Sequence, residues 1–126
     1  MDTDCDLLYK EEVNKIVSCA FEVSNILGPE LAEKLYERAL CQEFRYREYH
    51  FDQQKKFNVI YKNIIIGEYI PDLIVFDKII IEIKSVNKLT QVECAQILNY
   101  LRITGYKVGL ILNFKHRKLE WKRFVL

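Results

Sequence analysis

Three residues that could do chemistry, Asp72, Glu82 and Lys84, are set in the stretch Gly67–Ser85, GEYIPDLIVFDKIIIEIKS, where almost every neighbour is apolar. Charged residues are rarely placed in strands this apolar without a partner, because burying an unpaired charge is costly. The stretch reads as two strands joined by a tight turn at Phe76-Asp77-Lys78. Alternate residues of a strand point the same way, so Glu82 and Lys84 share one face while Ile81 and Ile83 share the other. A hairpin centred on Asp77 sets residue 72 opposite residue 82, and the two carboxylates converge with Lys84 beside them. A slip of one residue in the turn would undo this.

Two carboxylates at cross-strand distance repel unless something positive lies between them. Hard oxygen ligands with room for water suit Mg²⁺ or Mn²⁺. Such a cation polarises a phosphodiester and lowers the pKa of a bound water. Lys84 would orient or help deprotonate that water and offset the growing negative charge. The plainer alternative puts Asp72 in a bend after Pro71 and makes Glu82–Lys84 a surface ion pair. The apolar setting makes that alternative awkward.

The flanking elements must position these groups. Apolar residues at Val13, Ile16, Val17, Ala20, Phe21 and Leu27 predict a helix over Leu7–Leu27. Gly28-Pro29 ends it and starts a second, with Pro29 in the first turn, running to Arg47. In that second helix Leu31, Leu35 and Ala39 supply apolar contacts, and Glu33, Tyr36, Glu37 and Leu40 share another face. Glu33 thus either points inward toward the hairpin or lies on the helix surface. A strand over Phe51–Lys62 turns at Lys62-Asn63 and returns through Ile64–Phe76, with a bulge expected at Gly67 and an irregularity at Pro71. Ile79–Val86 follows, giving three consecutive antiparallel strands. Thr90-Gln-Val-Glu93 is a capping box opening a third helix with an apolar stripe at Val92, Ala95, Leu98 and Leu101, ending at Thr104-Gly105. Gln96 and Tyr100 share a face of it. Strands over Lys107–Asn113 and Leu119–Val125 close the chain. The order α-α-β-β-β-α-β-β predicts an α+β, sandwich-like protein whose central mixed sheet is flanked by helices.

With 126 residues, half of them hydrophobic and 29% charged, the chain has the composition of one globular domain. It contains neither an apolar run near membrane-spanning length nor a basic-then-apolar start, so the expectation is a cytoplasmic protein. Cys5, Cys19, Cys41 and Cys94 lie far apart without metal-ligand spacing and read as reduced thiols. A net charge of +1 argues against gripping nucleic acid by bulk electrostatics. The charges cluster nonetheless. Asp2, Asp4, Asp6, Glu11 and Glu12 are acidic; Arg45, Arg47, Lys55 and Lys56, then Lys115, Arg117, Lys118, Lys122 and Arg123, are basic and serve either as phosphate contacts or as solvated faces. His50 and His116 belong to no motif and read as surface residues. Trp121 reads as core.

Pro71-Asp72 followed by Glu82-Ile83-Lys84 resembles the PD-(D/E)XK motif of restriction-endonuclease-like nucleases, and Gln96-Ile-Leu-Asn-Tyr100 resembles the Q-x-x-x-Y motif of RecB-like members. The segment Leu27–Leu126 is similar to the GxxExxY family, with Glu33 and Tyr36 matching its motif and Glu30 standing at the glycine position. The resemblance implies a restriction-endonuclease-like core spanning a single domain over 1–126, with the helix of 1–27 preceding it. It implies Asp72 and Glu82 as metal ligands, the Ile83 carbonyl as a further one, Lys84 as the catalytic lysine and Glu33 as the helix-borne acid. Gln96, Tyr100 and Tyr36 would support the site or touch substrate.

The leading expectation is a Mg²⁺- or Mn²⁺-dependent phosphodiesterase acting on nucleic acid, DNA ahead of RNA. The rival is a non-catalytic nucleic-acid-binding or adaptor module that keeps the fold. A third reading is a homodimer paired through the first helix.

Overall fold

A computed structural model describes residues 8–126. The acidic residues Asp2, Asp4 and Asp6, together with Cys5 and the expected helix start at Leu7, lie outside the described residues. Helix α1 (Lys10–Leu27) buries Val13, Ile16, Val17, Ala20 and Val23, the predicted 3.6-residue stripe. It stops at Gly28, whose φ of 75° is open to glycine and whose N–H caps the Ser24 carbonyl at 2.9 Å.

Helix α2 (Glu33–Tyr46) begins later than the sequence suggested. Pro29 lies in the connecting bend rather than in its first turn. Its buried face is Tyr36, Glu37, Leu40, Cys41 and Phe44, while Leu35 is exposed. The face that carries the acidic residues is therefore the one that packs. Tyr36 explains why: its ring stacks on Phe114 at 4.5 Å, and its hydroxyl donates to the Gly28 carbonyl at 2.6 Å and accepts from the Leu31 N–H at 3.1 Å. One side chain fixes the α1–α2 connection and roots α2 on the sheet.

The strands are β1 (Phe51–Gln53), β2 (Phe57–Tyr61), β3 (Ile64–Tyr69), β4 (Leu73–Val75), β5 (Ile79–Lys84), β6 (Val108–Asn113) and β7 (Glu120–Val125). The expected long hairpin exists but is broken in two. Its lower half, β1 and β4, joins a five-stranded sheet of order β1-β4-β5-β6-β7, and its upper half, β2 and β3, forms a separate two-stranded arm. The breaks fall at residues 54–56 and 70–72, where Gln54 has a φ of 59° and Pro71 cannot donate to a ladder. The register shift within the arm lies between Val59 and Ile60, opposite Gly67 and Ile65, and so leaves Ile66 as the extra residue beside the predicted Gly67. Only β5 and β6 are parallel, joined through helix α3 (Gln91–Thr104); the other pairs are antiparallel.

Helices α1 and α2 cover one face of the sheet, packing on Leu73, Val75, Ile79, Ile81 and Ile83. Helix α3 covers the other, against Ile74, Ile80 and Ile111. Its capping box is formed, with the Thr90 N–H donating to Glu93 at 2.6 Å and the Val92 N–H to Thr90 at 3.2 Å. The buried stripe is Ile97 and Leu101 rather than the expected Val92 and Ala95, because α3 approaches β6 at Gly109. A Cβ on Gly109 would lie 2.8 Å from Ile97 Cδ1, so the missing side chain is what seats the helix. Trp121, expected in the core, is exposed on edge strand β7. None of the described helices is long and apolar enough to cross a membrane.

Candidate active site

The turn at Phe76 and Asp77, with φ of 60° and 56°, sets the register of β4 on β5: Leu73 faces Ile81, Ile74 faces Ile80 and Val75 faces Ile79. Continuing that register puts Asp72 opposite Glu82. The Asp72 N–H donates to Glu82 Oε2 at 3.1 Å, and the Ile83 N–H donates to Asp72 Oδ2 at 2.7 Å. The two carboxylates are thus brought together by the strands themselves.

Both sit where charge is costly. Glu82 is only 8% exposed, and burial with the Asp72 charge beside it pushes its carboxyl up to about 7. Asp72 is half-buried; burial raises its carboxyl, the Ile83 N–H opposes this, and the charges of Glu37 and Glu33 add to the rise. Half-buried Lys84 lowers both carboxyls through its charge. A residue's N–H and C=O point to one side of a strand. The Lys84 carbonyl turns to β6, accepting from the Phe114 N–H at 3.0 Å, and Ile83 turns its N–H to Asp72. The Ile83 carbonyl therefore faces the Asp72 side as well.

Glu33 opens α2 near this pair, but its Oε2 accepts from the Ser85 N–H at 3.1 Å. Among the described residues the trio of metal-ligand side chains whose donor atoms all lie within 4.8 Å of one another is elsewhere: His50, Asp52 and Asp77. That trio lies at the turn end of the β4–β5 hairpin, roughly 15 Å from Asp72 at about 3.3 Å per residue. His50 Nε2 there lies 3.5 Å from Asp52 and 3.6 Å from Asp77. Glu33 is thus a neighbour of the Asp72–Glu82 pair and does not close a three-carboxylate cluster with it.

Of the residues expected in support, Tyr100 lies against the site and Gln96 does not. Tyr100 stacks on Tyr69 at 3.8 Å between centroids, and the Tyr69 hydroxyl donates to Glu82 Oε1 at 3.2 Å. Gln96 is exposed on the outer face of α3. Tyr36 holds the α1–α2 connection, as described, and is fully buried.

Two residues near the pair were missed in the sequence. Tyr69 is buried, and its own phenol is pushed upward by burial and by the Glu82 charge. Glu37, one turn beyond Glu33, is buried and accepts from Lys34 Nζ at 3.2 Å and Gln53 Nε2 at 3.0 Å. It lines a cavity of about 340 Å³ with Lys34, Gln54, Ile70, Pro71 and Asp72. The signal for Glu37 was its place on the Tyr36–Leu40 face; for Tyr69 it was alternation with Pro71 and the arm.

Several of the basic residues are engaged structurally. Arg47 pairs with Glu43 at 2.8 Å, Arg123 donates to the Leu8 carbonyl at 2.6 Å, and Lys115 lies 3.7 Å from Glu30. Lys55, Lys56, Arg117 and Lys118 are exposed.

No curated protein matches this sequence. Among solved structures the fold is similar to the crystal structure of SSO0001, with a TM-score of 0.59 and 16% identity over 94% of this chain. The chain spans 60% of the length of that protein. An alkaline exonuclease (LHK-Exo) from Laribacter hongkongensis is also matched, at a TM-score of 0.45 and 14% identity, covering 84% of this chain and 75% of that one. The mixed sheet with helices on both faces is a restriction-endonuclease-like core, as the element order predicted. The family model described as the PD-(D/E)XK nuclease superfamily matches residues 10–124, nearly the whole chain, and the chain belongs to that superfamily.

Proposed function

We propose that this protein is a divalent-metal-dependent nuclease of the GxxExxY type, hydrolysing phosphodiester bonds in nucleic acid, DNA ahead of RNA. The observation that carries the reading is the crossed pair of hydrogen bonds holding the Asp72 and Glu82 carboxylates together in an otherwise apolar wall. Both carboxyls are pushed up from their ordinary values. A buried pair of hard oxygen donors in that condition fits a divalent cation, which would relieve the repulsion. Asp72, Glu82 and the Ile83 carbonyl would hold Mg²⁺ or Mn²⁺, with Glu33 as a further ligand or a partner to a bound water. When bound, the cation supplies charge neutralisation at the phosphate and a more acidic water.

Lys84 follows Glu82 on the same face and would hold the attacking water and offset charge on the phosphate oxygens. The Tyr69 hydroxyl orients Glu82, and Tyr100, stacked on Tyr69, keeps that ring in place. The GxxExxY assignment is supported at Glu30, which stands at the glycine position with a φ of 69°. That is the left-handed region that glycine enters without steric cost.

One observation favours the rival, a non-catalytic nucleic-acid-binding module: Glu33 Oε2 is taken by the Ser85 N–H. A panel of single- and double-stranded DNA and RNA with Mg²⁺ or Mn²⁺ separates the two. The nuclease reading expects cleavage that Glu82→Ala abolishes. Nucleic-acid binding without cleavage of any member, together with no carboxylate-dependent metal binding, would contradict it.

A further inference from the structure

The β2–β3 arm carries the chain's most exposed apolar cluster outside the helices. Ile60, Tyr61, Ile64, Ile65 and Ile66 are each 59% to 64% exposed. Only the root of the arm is packed, through Phe57 against Tyr106 of the α3–β6 connection. An isolated two-stranded hairpin is marginally stable in water, and an apolar strand edge without guarding charges invites another strand. Each strand of the arm has one neighbour only, so β3 presents a free edge.

We propose that this edge is a two-fold interface with a second copy of the chain, β3 pairing antiparallel with β3. The occupant follows from charge and register. An antiparallel pairing centred on Ile65 puts Ile65 opposite Ile65 of the other copy and Ile64 opposite its Ile66. The same register brings Lys62, in the arm's turn, opposite Glu68 of the other copy, once on each side of the axis. Such self-complementarity is what an isologous contact requires. A register centred on Ile66 would instead set Glu68 against Ile64. Nucleic acid is disfavoured, since the exposed tip offers one cation, Lys62, among five large apolar side chains.

The area is also of the right order. Taking roughly 150–200 Å² for a large apolar side chain, the five residues supply on the order of 500 Å². A stable interface takes about 800 Å² per partner. The strand backbones and the Lys62–Glu68 pairs supply the rest.

Sedimentation of the full chain over a range of concentrations tests this. The expected result is a dimer that Ile65→Lys makes at least tenfold weaker, with cooperative unfolding of the variant retained because residue 65 is exposed in the monomer. Lys62→Glu and Glu68→Lys should each weaken the dimer, and the double reversal should restore it. A protein that stays monomeric at every concentration, a dimer indifferent to Ile65→Lys, or a double reversal that fails to restore pairing would each overturn the proposal.

Discussion

Asp72 and Glu82 are each tied to the other's strand: the Asp72 N–H is held by the Glu82 carboxylate, and the Ile83 N–H by the Asp72 carboxylate, at 3.1 and 2.7 Å. The arrangement continues the β4–β5 ladder through side chains where Pro71 has interrupted the backbone. It also means that each acid has a structural partner as well as a chemical task. Asp72→Ala leaves the Ile83 N–H without its acceptor, and an unsatisfied buried donor costs about 1–3 kcal/mol. Asp72→Asn keeps an acceptor there. Urea denaturation should therefore find Asp72→Ala less stable than Asp72→Asn by that order, with metal binding impaired in both. Equal stabilities would show that the crossed bonds do not hold the hairpin.

The raised Glu82 carboxyl fixes the sign of a pH effect. It titrates near 7 in the fold against 4.5 ordinarily, so between these values the native protein binds more protons than the unfolded chain. Stability of the metal-free protein then falls as pH rises from about 4.5 to 7, and the loss is complete above 7. The lowered carboxyls of Glu12 and Glu93 act in a separate window, below about 4.5. Denaturation at a series of pH values should show a slope that Glu82→Gln flattens and that Mn²⁺ reduces at pH 7.5. Parallel curves for the two proteins would rule the effect out.

Tyr69→Phe removes one donor to Glu82 and leaves the ring stacked on Tyr100. That hydrogen bond lowers the Glu82 carboxyl, so its loss should raise the carboxyl further and weaken Mn²⁺ binding severalfold at pH 7. The cost in stability should be about 1 kcal/mol. Calorimetric titration of both proteins checks this, and unchanged affinity would separate Tyr69 from the metal seat.

Glu30 holds a backbone conformation that costs a residue with a Cβ about 1–2 kcal/mol. Its surface contact with Lys115, 3.7 Å long, returns little. Glu30→Gly should leave stability unchanged or raise it by up to about 1 kcal/mol, glycine's greater freedom when unfolded offsetting part of the gain. Glu30→Val should lower it. Thermal unfolding of the pair reads the difference, and a destabilised glycine variant would contradict the assignment of strain.

Gly109→Ala places a methyl against Ile97 Cδ1 at 2.8 Å. Overpacking of this kind costs about 1–3 kcal/mol and should push α3, with Tyr100, away from the sheet. Loss of stability together with weaker metal binding is expected. A variant as stable as the parent would mean that Ile97 yields without moving the helix.

The central hairpin was legible because its chemistry and its packing conflict in plain sight: Asp72 and Glu82 stand out only where everything else is isoleucine, leucine or valine. Register followed from the turn at Asp77. The bent arm was harder to read. Phe51 and Phe57 alternate as one strand would, and only the backbone at Gln54 and Pro71 divides them between two sheets. Periodicity chose the wrong face of α2, since Leu35 is apolar yet exposed, while Tyr36 and Glu37 are buried on partners far along the chain. Gln53 and Phe114, which receive them, cannot be paired with α2 from spacing. Nor could the approach of α3 to Gly109 be foreseen, and with it went the choice between Val92 and Ile97.

The most direct test of the account is the cleavage of labelled DNA by Lys84→Ala beside the parent protein, with Mn²⁺ affinity measured on both. The account predicts equal Mn²⁺ affinity and a cleavage rate reduced by about 10²-fold or more, the usual scale for removing a positioned acid–base or charge-stabilising group. A Lys84→Ala protein that cuts as fast as the parent, or a parent that binds Mn²⁺ and cuts nothing, would contradict it.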